Sequence, residues 1–177
     1  HALHRLPDRY RMTIPALGSA GQSSGFERSI HDMISSLNLT DRISIAQAVT
    51  TPSDMRSYYE HADVVLVPSW YEGFGIVAIE ALSWGVPLVA SNVGGLKEIV
   101  RHSQNGLLVE PHNPEAIVQS ITNIAENGSL RQAMIQQGLS DATMRFSESA
   151  HMTALEAIYH KRIRSMHELY QKVEATI

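Results

Sequence analysis

Between residues 64 and 90 the chain switches from one kind of apolar segment to another and back, which limits its fold more than any other feature. Residues 64–67 (Val-Val-Leu-Val) are a continuous run of β-branched residues and leucine, as expected of a strand buried on both faces. Residues 75–84 read as a helix, stopped by Gly85 and then Pro87 in the usual order. Residues 88–90 return to strand. Strand, helix and strand with such short links make a right-handed βαβ unit, and its two strands must be parallel.

The same alternation extends along the chain. Strands are expected at residues 11–17, 43–49, 64–67, 88–90 and 106–109, five in all. Helices are expected at 26–39, from the Thr51-Pro52-Ser53-Asp54 start to 62, and at 75–84, 95–101, 114–126, 130–144 and 147–173. In the helix at 26–39, Phe26, Ile30, Met33, Ile34 and Leu37 share one stripe. The expected fold class is α/β, a Rossmann-like parallel sheet with helices on both faces. The last helices have no strand after them and must pack elsewhere. Residues 1–10 read as the tail of a helix begun earlier, so a truncated start is expected. The organisation expected is a domain over 1–146 and a long C-terminal helix over 147–177.

Composition excludes several functional classes. A chain of 177 residues with 44% hydrophobic and 18% charged residues buries one ordinary core. Its net charge of −4 argues against a nucleic-acid partner, which calls for a clustered basic face. Lys161, Arg162 and Arg164 are followed by Glu168 and Glu174, as on a solvated helix. There is no cysteine, and no apolar run approaches the length of a membrane span. The expected location is cytoplasmic, with peripheral membrane association left open. The nine histidines are dispersed; only His1 and His4 share a helix face, and no metal site is expected. Gly73-Phe74-Gly75 lacks the third glycine of a dinucleotide fingerprint, and Ser69 lacks the flanking glycines of a nucleophile elbow. Trp84, at a helix end, is expected to pack in the core.

The chemistry is concentrated in residues 69–80. In an open parallel sheet, ligands bind at the carboxyl ends of strands, where residues 69–74 fall. The next helix begins with Gly-Phe-Gly, so its free amides and positive dipole end suit a phosphate or diphosphate. Glu72 precedes this helix and Glu80 lies on its second turn. Carboxylates repel a diphosphate but accept strong hydrogen bonds from hydroxyls. A ligand with a central diphosphate and hydroxyl-bearing rings on both sides satisfies the site, which describes a nucleotide sugar. Glu80 stands among apolar neighbours and needs a partner. Trp70, Tyr71 and Phe74 offer faces for stacking on a sugar.

Pro68-Ser69-x-x-Glu72-Gly73-Phe74-Gly75, then Glu80-Ala81 and Gly85-x-Pro87, resembles the Glu-x7-Glu signature of retaining glycosyltransferases of family 4. Val93-Gly94-Gly95-Leu96-x-Glu98 and Asn105-Gly106-Leu107-Leu108-Val109 match the same spacing. The resemblance implies the C-terminal, donor-binding half of a GT-B enzyme, in which two Rossmann-like domains enclose the active site. It further implies that Glu72 contacts donor-sugar hydroxyls and that the backbone of Gly73, Phe74, Gly75 and Ile76 meets the sugar and diphosphate. Glu80 would accept from ribose hydroxyls, and the base would lie against Gln47, Ala48 and Val49. Transfer would be metal-independent, with no cofactor beyond the nucleoside diphosphate sugar donor. The final helix would return toward an N-terminal acceptor domain.

Two departures stand out. The family's basic Arg…Lys pair would precede His1, so this piece alone is expected to be inactive. Residues 18–25 lack a GDGP-like sequence and look more like the Ser-Gly loop of sucrose-phosphate-synthase-like members. The acceptor, whether sugar, lipid or small molecule, is left open. The competing expectation is a non-catalytic nucleotide-sugar-binding or interaction domain.

Overall fold

The computed structural model describes residues 1–15, 25–46 and 51–174. The elements run α1 (Ala2–Arg5), β1 (Met12–Ile14), α2 (Gly25–Ser36), β2 (Ile43–Ile45), α3 (Pro52–His61), β3 (Val65–Val67), α4 (Ile76–Ser83), β4 (Leu88–Ser91), α5 (Leu96–Ile99), β5 (Leu107–Val109), α6 (Pro114–Glu126), α7 (Gly128–Phe146) and α8 (Glu148–Glu174). All strand pairs are parallel. Among the described residues they form two groups, β1 beside β2 and the order β3-β4-β5.

The apolar run at 64–67 packs on both sides, with Val67 buried and Val64, Val65 and Leu66 half-buried. Val65, Val67, Leu88, Ala90 and Leu108 face Tyr59 of α3, Ala78, Ala81 and Leu82 of α4, and Leu96 and Ile99 of α5. Leu66, Val89, Leu107 and Val109 point the other way, onto Ile117, Ile121 and Ile124 of α6 and Met134 of α7. The register explains the sorting: Leu66 pairs with Val89 and Val89 with Leu107, so each cross-strand row shares one face. Ile121 also joins a third cluster with Leu3, Leu6, Leu39, Met12 and Ile43, so α6 links the β1–β2 pair to the rest.

The caps follow the sequence. Thr51 accepts from the Asp54 amide while the Asp54 side chain accepts from the Thr51 amide, a capping box that starts α3. Gly85 ends α4 at φ +64°, with the Gly85 amide on the Leu82 carbonyl and the Val86 amide on the Ala81 carbonyl, a Schellman motif. Asn38, at φ 54°, ends α2 in the same way, through the Asn38 amide on Ser35 and the Leu39 amide on Ile34. That stop places the end of α2 at Ser36, earlier than the expected 39. Asn127 caps the end of α6 and the start of α7, so α7 begins at Gly128 and not at 130.

Three further expectations are corrected. Trp84 is 40% exposed, with the Arg56 guanidinium 5.2 Å above its ring, and does not pack in the core. Met33 is 48% exposed, off the buried side of α2. Helix α5 ends at Ile99 instead of 101 because Val100 is extended and the Arg101 amide donates 2.7 Å to Asn105 Oδ1. Helix α7 packs on α4 and α8 on α7; a Cβ at Gly138 of α7 would stand 3.1 Å from Leu82 Cδ2, so glycine permits the close crossing of α7 on α4. Among the described residues no helix is long and apolar enough to cross a membrane.

Candidate functional site

The site is built where the chain leaves β3, β4 and β5, and hydrogen bonds join the three exits. The Gly95 amide donates 2.9 Å to the Glu72 carbonyl, tying the loop after β4 to the loop after β3. The Asn92 amide donates 2.8 Å to the Val109 carbonyl, and Asn92 Nδ2 donates 2.9 Å to Glu110 Oε1. Both glycines of the Gly94-Gly95 pair are needed for this fit. Gly94 has φ +42° and lies against the Glu72 carbonyl; a Cβ on Gly95 would stand 2.5 Å from the Phe74 carbonyl oxygen.

Gly75 is the N-cap of α4, at φ +97° in the left-handed region that favours glycine. A side chain there would also meet Leu96 Cδ2 at 3.0 Å and Ile99 Cδ1 at 3.1 Å. The amides of Gly73, Phe74, Gly75, Ile76 and Val77 donate to no protein acceptor among the described residues. Consecutive unpaired amides at the positive end of a helix form a seat for an anion.

The two glutamates flank this run in the chain, Glu72 just before it and Glu80 on α4. Glu72 is half-buried, and Ser69 Oγ donates to its Oε2 at 3.4 Å. Ser69 therefore positions Glu72 from its own loop. Glu80, also half-buried, receives a 2.7 Å hydrogen bond on Oε2 from the Tyr59 hydroxyl of α3. Tyr59 is the partner that Glu80's apolar setting required. Its role was hidden in the sequence because the two residues are 21 positions apart. Burial first, then the hydrogen bond and the charge of Glu80, push the Tyr59 phenol well above its ordinary pKa. No buried side-chain oxygen lacks a partner among the described residues, so the unbonded Oε1 atoms of Glu72 and Glu80 reach solvent.

Around Glu72 the loop presents aromatic rings to solvent: Trp70 is 75% exposed, Tyr71 84% and Phe74 62%. Trp70 has the His112 ring 4.4 Å away, tilted at 46°, and His112 itself sits at φ 59°. His112 adds a ring from the β5 exit that the sequence did not single out. Gln47, Ala48 and Val49, with the loop at 18–24, lie outside the described residues. No cluster of three or more metal-ligating side chains occurs among the described residues.

Behind the site, α7 holds the far end of α5. Asp141 is 3% exposed and accepts from Arg101, from Asn105 Nδ2 at 2.7 Å and from Gln137 Nε2 at 3.1 Å. Burial acts to raise the Asp141 pKa, but hydrogen bonds from Arg101, Asn105 and Gln137 outweigh it and hold the carboxyl below its ordinary value. Arg145 Nη2 donates 2.6 Å to the Glu98 carbonyl, so the C-terminal end of α5 is tied to α7 as its N-terminal end is tied to the Glu72 loop.

Parallel strands covered by helices on both faces are the Rossmann-like architecture of a GT-B C-terminal domain. Residues 8–141 match the family model described as glycosyl transferases group 1, and the chain belongs to that family. It is 34% identical over 154 residues to a D-inositol 3-phosphate glycosyltransferase of Salinispora tropica, covering 86% of this chain and 31% of the relative. A sucrose-phosphate synthase from Thermosynechococcus elongatus superposes with a TM-score of 0.80 at 28% identity, covering 93% of this chain and 41% of that one. The C-terminal domain of a glycosyl transferase group 1 family protein from Francisella tularensis gives a TM-score of 0.63 at 25% identity, over 70% of this chain and 63% of that domain. The chain thus spans about a third of the Salinispora relative's length.

Proposed function

We propose that this chain is the donor-binding half of a retaining glycosyltransferase of family 4, which moves a hexose from a nucleoside diphosphate sugar to an acceptor. The observation that carries the reading is the run of unpaired amides from Gly73 to Val77 flanked by two carboxylates, each with one oxygen open to solvent. The amides take the diphosphate, and each carboxylate takes hydroxyls on one side of it. Glu72 reads the donor sugar, beside the faces of Trp70, Tyr71 and Phe74. Glu80 reads the ribose, and the base extends toward Gln47, Ala48 and Val49.

In transfer, charge builds on the leaving diphosphate. The amides at the start of α4 stabilise it without reorganising, and a basic pair on the acceptor half adds to this. Closure of the two halves excludes water and suppresses hydrolysis of the donor. Glu72 is given no nucleophilic role, since its place is over the sugar hydroxyls. No metal enters this scheme, α8 returns toward the acceptor domain, and the enzyme works in the cytoplasm. The family membership and the likeness to sucrose-phosphate synthase support the reading.

A panel of nucleoside diphosphate sugars with different bases and hexoses, scored by thermal stabilisation of this chain, tests it. One or a few members raising the midpoint in a saturable manner is the expected result. A panel in which no member shifts the midpoint at millimolar concentration contradicts the proposal.

A further inference from the structure

The hydroxyl of Tyr59 is a single polar atom at the edge of an otherwise apolar cluster. The residue is 4% exposed, and its ring packs with Ala78, Ala81 and Leu82 of α4. Packing alone would be served by phenylalanine. The hydroxyl makes one bond, 2.7 Å to Glu80 Oε2, from the neighbouring helix. A glutamate side chain has three rotatable bonds, and a half-buried one without an anchor samples several rotamers. The Tyr59 bond holds one oxygen against the core and leaves Oε1 open to solvent.

We infer that Tyr59 is the positioning residue that sets the Glu80 carboxylate for ribose, and so makes the site select a ribonucleotide over its 2′-deoxy counterpart. The inference rests on the assignment of Glu80 to the ribose in the proposed function. An ionised carboxylate only accepts hydrogen bonds, so the phenol must be the donor. With Oε2 engaged from the protein side, a hydroxyl pair approaching from solvent meets Oε1 and the remaining lone pair of Oε2 in a fixed plane. A free carboxylate would be immobilised only on binding, and that entropy would be taken out of the affinity. A 2′-deoxyribose offers one hydroxyl fewer and gains less from the pre-set group.

The experiment is calorimetric titration of this chain with UDP, GDP and ADP, each beside its 2′-deoxy form. It compares the wild type, Tyr59→Phe, Glu80→Ala and the double variant. Tyr59→Phe is expected to lower the ribonucleotide affinity about three- to tenfold and the 2′-deoxy affinity less, so that their ratio shrinks. In the Glu80→Ala background the same substitution should leave the ratio unmoved, since the group it positions is gone. A purely structural Tyr59 would lower the unfolding midpoint and scale both affinities alike, and an unchanged ratio in Tyr59→Phe overturns the inference. So does an equal effect with and without Glu80. A wild type that binds ribonucleotides without preferring them over 2′-deoxy forms removes the Glu80 assignment and this inference together. A wild type that binds no nucleotide removes the proposed function as well.

Discussion

Gly95→Ala isolates the contact that sets the position of the amide seat. The residue has φ −62° and ψ −22°, ordinary helical values, so alanine meets no backbone penalty there. Its Cβ, however, would stand 2.5 Å from the Phe74 carbonyl oxygen and 2.8 Å from that of Gly73. A comfortable C···O separation is about 3.3 Å, so the loop must retreat by roughly 0.5–0.8 Å. Both obstacles are backbone atoms and cannot rotate away. Overpacking of this kind costs about 1–3 kcal/mol, against a gain of about 0.4–1 kcal/mol from a less flexible unfolded chain. Strain wins, with a net loss of about 1–2 kcal/mol and a midpoint lower by roughly 2–8 °C for a domain of this size. The displaced atoms carry the amides of Phe74 and Gly75, so affinity for a nucleoside diphosphate should fall as well. Gly128→Ala is the control: nothing lies within 4 Å of its added Cβ, at the first position of α7. That variant should be neutral or slightly stabilised, with binding intact. Thermal unfolding by circular dichroism and calorimetric titration read both quantities. Equal midpoints and affinities for Gly95→Ala and the wild type would refute the steric reasoning.

Other residues make separate predictions. Asp141→Asn should cost about 1–3 kcal/mol in urea unfolding at neutral pH, because it removes the charge and replaces one of two acceptor oxygens by an amide that faces donors. Since the folded-state pKa of Asp141 is depressed, its contribution is complete above the ordinary carboxylate value of about 3.9 and lost as pH falls through the lower folded value. The difference between Asp141→Asn and the wild type should therefore shrink below about pH 4, and a constant difference would contradict the assignment. Trp70→Ala should leave stability within about 1 kcal/mol, the ring being 75% exposed, yet weaken binding of a nucleotide sugar more than of the free nucleotide. Equal weakening of both would remove Trp70 from the sugar side. The proposed transfer should give a first-formed product with retained anomeric configuration by NMR, and inversion would rule out the retaining assignment.

The fold was legible wherever local chemistry decides it. The run at 64–67, the Gly85-x-Pro87 stop and the Thr51–Asp54 start each depend on neighbours in sequence, and each appears in place. The left-handed turn at Gly75 and the helix start after it were legible for the same reason, because Gly-Phe-Gly followed by an apolar helix carries its own geometry. What the sequence hid are contacts across long separations. Tyr59 meets Glu80 from another helix, Asp141 meets Arg101 forty residues away, and His112 meets Trp70 across two strands. Trp84 was misread because a large ring at a helix end can be covered from outside, here by Arg56, without entering the core. The end of α2 was misplaced because Asn38 in the left-handed conformation does the work usually left to glycine.

The proposed site divides its labour, Glu80 for the nucleotide and Glu72 for the sugar. Calorimetry of Glu80→Ala and Glu72→Ala, each titrated with a nucleoside diphosphate and with the matching nucleotide sugar, measures that division directly. Glu80→Ala should weaken both ligands by about 1.5–3 kcal/mol, the range for hydrogen bonds to a charged group. Glu72→Ala should weaken the nucleotide sugar and leave the free diphosphate unchanged. Unchanged nucleotide affinity in Glu80→Ala, or equal losses for both ligands in Glu72→Ala, would contradict it.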